Sequence, residues 1–434
     1  MPQLMSDLLS RGSASIAGVI LLIITSLSLM RTVVIPRALR STLSDAVSLT
    51  VIWIAVRISR LRRNFRYRDA VLAAVGPVVI ILQLLTWLVL YLIAYGLLIY
   101  GAGGRQGLGD AMRQSGSSLL TLGFASDDQS RQTIIDFIAA ATGPIVIALL
   151  IGFLPTIYSA YLEREQNVTL LCATGGEPAW GPEILARYAV SDNFEACDRS
   201  FHDWSLWAAQ LRLTHLTYPV LVWVRSARAS RHYLTSLIAV VDAAALQVSL
   251  NRSLPQHEAY AVLLQGGQSI DSLYAFLFHR RRWRDSIPLV GRSRGGSEPG
   301  DQALPLGSQQ TLATQRAAYM DAARQLEPAA VDAMTRHGSQ SLSLTRADFD
   351  SAVDMLRRAG YPIENDVDAA WEQFSVYRSR YEYAGLSIAK TLDATPAPWT
   401  GDRAVPTPVM WPTLVVDLLP GDSPDDPTQI GRQS

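Results

Sequence analysis

Gly107 to Ser126 reads GLGDAMRQSGSSLLTLGFAS, and the reading of this stretch decides the fold of the whole chain. It separates two long apolar runs, Ala70 to Tyr100 and Thr133 to Tyr161, and is itself rich in Gly, Ser and Thr. A soluble domain has no reason to place such a passage there. As a re-entrant loop it holds a short helix, roughly Asp110 to Leu120, ending in Thr121, Leu122, Gly123, Phe124 and Ala125. Backbone that leaves the helix at membrane depth is tolerated only where protein buries it or where it lines a water-filled path.

Working outward, Ala70 to Tyr100 carries no charge and exceeds the length of a span, with Pro77 near its start absorbed as a local kink. Thr133 to Tyr161 returns across the bilayer. Before them, Ala14 to Val34 is a further span, with Arg31 close enough to its end to snorkel. Ser44 to Ile58 has a shorter apolar run flanked by Arg37, Arg40 and Arg57, and reads as a helix lying in the headgroup plane. Arg57, Arg60, Arg62, Arg63, Arg66 and Arg68 follow one another closely and hold their segment in the cytoplasm. The expectation is three spans, N-terminus outside and C-terminus inside, with anionic lipid headgroups as partners of the arginines.

Past Tyr161 the character changes. Glu163, Arg164 and Glu165 end the span, and from Gly175 to Arg284 apolar residues recur at helical spacing among charges. Tyr233 to Leu250 is apolar enough for another span, yet Asp242 sits at its centre and Gln247 near its end, so it reads as the buried helix of a soluble bundle. Residues 290–308 are a Gly/Ser/Pro-rich linker. Helices are expected at Gln309 to Gln325, Pro328 to His337, Arg346 to Ala359 and Asp366 to Leu392. Thr345 and Asp348 form a capping box for the third, which Gly360 and Pro362 stop. From residue 396 the Pro/Asp-rich remainder reads as an extended tail. The organisation is thus an N-terminal span (1–41), an interfacial helix with an Arg-rich loop (42–69), a membrane module (70–162), a cytosolic helical domain (163–289), the linker, a second helical region (309–395) and the tail (396–434).

The totals exclude more than they assert. Net charge is zero over 434 residues and 49% of them are hydrophobic, which points to no nucleic-acid partner. Cys172 and Cys197 lack metal-ligand or disulfide spacing. His202, Asp203 and His215 match no ligand pattern and read as ordinary surface or core residues. Arg280 to Arg282 with Trp283 and Arg284 read as a solvated helix end. No phosphate loop, nucleophile elbow or zinc-protease motif occurs, so neither an enzyme nor a cofactor is expected.

The order apolar helix, short helix, T-x-G-[YF], apolar helix resembles the pore loop of the potassium-channel superfamily, and Thr121 to Phe124 is similar to the start of its TVGYG signature. Leu211 to Ser226, LRLTHLTYPVLVWVRS, is similar to segments of bacterial pore-loop proteins. The resemblance implies an all-α membrane protein whose pore module has an outer helix, pore helix, filter and inner helix. It further implies a homotetramer in a bacterial cytoplasmic membrane that passes a monovalent cation, potassium foremost. Thr121, with carbonyl and hydroxyl, and Leu122, Gly123, Phe124 and Ala125 then line the filter. Gly123 suits a carbonyl-lining strand, in which alternate residues need angles that glycine adopts cheaply.

Where the family has a second glycine and then Asp, this chain has Ala125 and Ser126. Alanine at positive φ costs about 1 kcal/mol, enough to turn the outermost carbonyl away and loosen selectivity. Asp127 and Asp128 either ring the outer mouth or cap the next helix. Asp136, an intramembrane carboxylate, is a functional candidate that reaches the interface or pairs with Arg131. Gly143-Pro144, Gly152 and Pro155 let the inner helix bend, Gly152 and Pro155 being the candidate gating hinge, with simple helix packing as the alternative. The rival to a channel is a membrane-anchored sensor or scaffold that no longer conducts.

Overall fold

The computed structural model describes residues 2–35, 41–61, 64–102, 107–125, 130–278 and 342–401, and every regular element within them is helical. The linker, the helices expected between 309 and 337, the Arg280 to Arg284 patch, Asp127 and Asp128, and everything past Gly401 lie outside the described residues. The chain divides into two compact units. Unit one holds the residues up to Asn167 together with Leu213–Ala229; unit two holds Val168–Arg212 and the residues from Ser230 onward.

In unit one, α1 (Pro2–Leu29) runs into a π turn (Met30–Val34), followed by α2 (Thr42–Ser59), α3 (Phe65–Ala73), α4 (Val75–Gly101), α5 (Leu108–Leu119) and α6 (Ser130–Gly175), which from Val168 onward belongs to unit two. The single helix expected from Ala70 is broken at Ala74. Pro77 offers no N–H to the carbonyl four residues earlier, so the chain restarts its helix where proline is harmless, in the first turn. α6 is longer than expected and stays helical through Pro144 and Pro155.

α4 is the mast of this unit, against which α1, α2 and α5 pack. Small residues let α1 come close: a Cβ on Gly18 would lie 2.9 Å from the Ala94 carbonyl oxygen, and one on Gly101 1.9 Å from Ser15 Oγ. Trp87, Tyr91 and Tyr95 of α4 fill the core, and their polar ends all find partners. Trp87 Nε1 donates to Ser28 Oγ at 3.1 Å, Tyr91 pairs with Ser26 at 3.0 Å and Tyr95 with Thr142 at 2.6 Å.

Residues 213–229 strap the lower end of α6 to α3 and α4. Leu221 is buried against Ile157 and Ala160, while Val220 and Trp223 pack beside Val75 and Val79. Arg164, buried, donates to the Leu221 and Val224 carbonyls at 3.0 and 2.9 Å. Arg225 reaches Asp69 at 2.9 Å.

Leu9–Val34, Thr42–Ser59, Phe65–Gly101, Arg131–Gly175 and Tyr233–Leu250 are long and apolar enough to cross a membrane. The first four leave large apolar side chains exposed, among them Ile20, Ile54, Ile81 and Phe137, as suits a multi-pass membrane protein. Thr42–Ser59, expected in the headgroup plane, meets the same length and composition. The fifth differs, because every residue of it is buried within unit two.

There it is α9 (Tyr233–Leu250), preceded by α7 (Gly181–Val190) and α8 (Phe194–Thr217). α10 (His257–Phe278), α11 (Arg346–Arg358), α12 (Val367–Ser379) and α13 (Glu382–Thr391) follow. A helix apolar on all sides belongs at a centre, and α7, α10, α12 and α13 surround it. Asp242 is paired with Arg378 of α12 at 2.6 Å and hydrogen-bonded by Tyr381 at 2.5 Å. The helix expected to run unbroken from Asp366 turns at Arg380 and Tyr381, and Arg378 and Tyr381 both reach that one carboxylate. The residues expected to start the tail are packed: Ala397 and Thr400 are buried, and Trp399 lies edge-on to Trp180.

Candidate functional site

α5 is amphipathic in an unusual sense, because its buried face is made of Ala111, Gln114, Ser115, Ser117 and Leu119. Small and polar side chains there allow closer approach than leucines would. The helix is wedged between two glycines: a Cβ on Gly96 of α4 would lie 2.4 Å from Met112 Sδ, and one on Gly143 of α6 only 1.8 Å from the Leu119 carbonyl oxygen. Ser115 Oγ donates to the Leu92 carbonyl at 2.8 Å. On the α6 side, Asp136 accepts from Gln114 Nε2 at 2.7 Å and from Ser118 Oγ at 2.6 Å.

The hydrogen-bond partners of Asp136 are thus Gln114 and Ser118, in place of the pairing with Arg131 that the sequence left open. Asp136 grips the middle and last turn of α5. Gln114 and Ser118, four residues apart, lie on one face of the helix, so a single carboxylate meets both.

Beyond α5 the backbone leaves the helix at once. Thr121 and Gly123 take left-handed conformations, φ 55° and 69°. A β-branched residue in that region is strained, by about 1–2 kcal/mol. Ser117 gathers the loop back: its carbonyl accepts from Leu122 N–H at 2.7 Å, and its hydroxyl accepts from Ala125 N–H at 3.0 Å. The Thr121 hydroxyl donates to the Leu120 carbonyl at 2.7 Å. Thr121, Leu122, Gly123 and Phe124 are all exposed, Leu122 and Phe124 by 60% and 57%, and Ala125 is half-buried. The Arg113 guanidinium lies over the Phe124 ring at 5.6 Å.

Ala125 does not share the left-handed conformation, the one that is costly for alanine. Its N–H is held by Ser117, and no positive φ is required of it. Gly152 and Pro155 lie within unbroken α6, where a Cβ on Gly152 would meet open space.

Among the described residues no cluster of His, Cys, Asp or Glu could hold a metal ion. His202 meets Glu258 at 3.0 Å, and His215 is buried beside Arg164 at 3.4 Å. A small cleft in unit two is lined by Cys172, Glu177, Arg231 and His232, but Glu177 and Arg231 neutralise one another at 3.1 Å. Neither cysteine takes part in a disulfide, and both are buried. Desolvation lowers the Arg378 pKa, and the neighbouring Asp242, Tyr381 and Glu382 more than reverse this, holding it above its ordinary value.

The polar face of α5 and the glycines flanking it were missed by sequence reasoning. Gln114 and Ser118 at helical spacing were the available signal, but nothing local to them points to Asp136. No protein-family model matches the sequence, and no match was found among curated proteins or among solved structures.

Proposed function

We propose that this chain is one subunit of a passive cation channel, potassium being the favoured ion, in which four copies bring residues 121–125 onto a common axis. The observation that carries the reading is the exposed, non-helical loop after α5, with alternate residues Thr121 and Gly123 in left-handed conformations. It is set between α4 and α6, each part of a segment long and apolar enough to span. A cation entering a pore exchanges its water shell for rings of backbone carbonyls, and alternation of backbone hand aims successive carbonyls to one side. One such loop encloses nothing, so closure requires a cyclic assembly. The C-terminal end of α5 adds a partial negative charge beside the loop. The arginines around Arg57 to Arg68 favour a cytoplasmic C-terminal region and an extracytoplasmic N-terminus.

Purified protein in liposomes should pass potassium or rubidium down a gradient, with block by barium. Tight vesicles at verified incorporation, or a stable monomer in native-like bilayers, would end this reading. The first result would instead favour a membrane-anchored scaffold.

A further inference from the structure

We infer that Asp136 is a positioning residue for the loop 121–125, acting through Gln114 and Ser118. Its effect on ion selection rests on the channel reading above; its effect on loop order does not. The two carboxylate oxygens each receive one donor, Gln114 Nε2 and Ser118 Oγ, at 2.7 and 2.6 Å. Hydrogen bonds to an ionised acceptor are the strong kind, and these two tie α6 to the stretch of α5 on which the loop is built. Ser117, next to Ser118, is the residue that holds the Leu122 and Ala125 N–H groups. Fixing the turn from Gln114 to Ser118 therefore fixes the seat of the loop.

A second observation separates positioning from a role of the charge itself. Gln114 is buried, and its Oε1 has no hydrogen-bond partner. With a carboxylate opposite, the amide must present its NH2, which leaves the oxygen stranded. Asparagine at 136 lets the Gln114 amide reverse: the new Nδ2 donates to Oε1, and the new Oδ1 still accepts from Ser118. Both bonds between α6 and α5 are then kept although the charge is gone, with the Gln114 NH2 in the place of the stranded oxygen. Valine keeps neither.

The test uses the full chain in liposomes as wild type, Asp136→Asn, Asp136→Val and the double variant Gln114→Leu/Ser118→Ala. Amide exchange over 117–125 is measured alongside the potassium-to-sodium permeability ratio, with exchange over α10 as the control for folding. Asp136→Val and the double variant should exchange about tenfold faster across the loop and lose selectivity. Asp136→Asn should stay within about twofold of wild type on both measures. Unchanged loop exchange in the double variant, or Asp136→Asn behaving like Asp136→Val, overturns the inference. If Asp136→Val loses the α10 control, the asparagine and double variants decide. Wild-type vesicles that pass no ion remove the channel reading, while the exchange measurement still decides what Asp136 does.

Discussion

At Gly143 an added Cβ would meet the backbone oxygen of Leu119 at 1.8 Å, whereas at Gly152, nine positions further along the same helix, it would meet nothing within 4 Å. Backbone cannot swing aside as a side-chain end can. Gly143→Ala should therefore cost at least about 1–3 kcal/mol, read as a lower thermal midpoint, and displace α5. Gly152→Ala should leave stability unchanged or raise it by up to about 1 kcal/mol through helix propensity. Because it disturbs no packing, it is also a clean probe of bending: a gating hinge there predicts altered open probability in single-channel records, and unchanged gating removes the idea. Cys197 gives a chemical test of unit two. Burial pushes its thiol up to about 12, so little thiolate exists near neutrality. N-ethylmaleimide at pH 7.5 should label it at least about tenfold more slowly in the native protein than after unfolding; equal rates would show that the site is open.

At the scale of the element, α11 was legible to within one residue, expected over Arg346 to Ala359 and found over Arg346–Arg358. Thr345 and Asp348 exchange both hydrogen bonds of the capping box, and Gly360 at φ 78° ends the helix. Hydrogen bonds from the Thr345 side chain and backbone hold the Asp348 carboxyl below its ordinary value. A lowered carboxylate contributes stability above its unfolded pKa of about 3.9 and loses it as pH falls through the folded value. Thr345→Ala should cost about 1 kcal/mol at pH 7, seen as faster exchange over 346–358, and less at pH 3. A cost equal at both pH values would contradict the assignment. The breaks at Ala74 and at Arg380 to Tyr381 were less legible. The first has a local cause in Pro77, while the second depends on Asp242, far away in sequence.

For the molecule as a whole, the question left by the sequence was which apolar stretches meet lipid. Tyr233–Leu250 has the composition of a span, but the partner of its central charge lies within the same unit, since Arg378 bonds Asp242 at 2.6 Å and Glu382 at 2.9 Å. All three residues are buried. Arg378→Ala should cost about 3–5 kcal/mol in thermal unfolding by leaving two carboxylates without their cation. Adding Asp242→Ala should recover part of that loss, as coupled neighbours do. Full additivity would mean that the pair does not bind α9 to α12. The 213–229 strap shows the same dependence on distant partners, since Arg164 meets carbonyls 57 and 60 positions further on and Asp69 meets Arg225, which sequence alone places in another region.

By itself the sequence determined what is periodic or local: the long apolar helices, the interruption between Gly107 and Ser126, the capping box, and the unsuitability of a charged Asp242 for lipid. Apolar run length, turn residues and cap spacing act over a few positions, and so can be read along the chain. Only the tertiary structure decided that Asp136 belongs to Gln114 and Ser118, and that Gly143 is a seat for α5. Each of these is settled by a partner brought near through packing, and no local pattern encodes which partner that is.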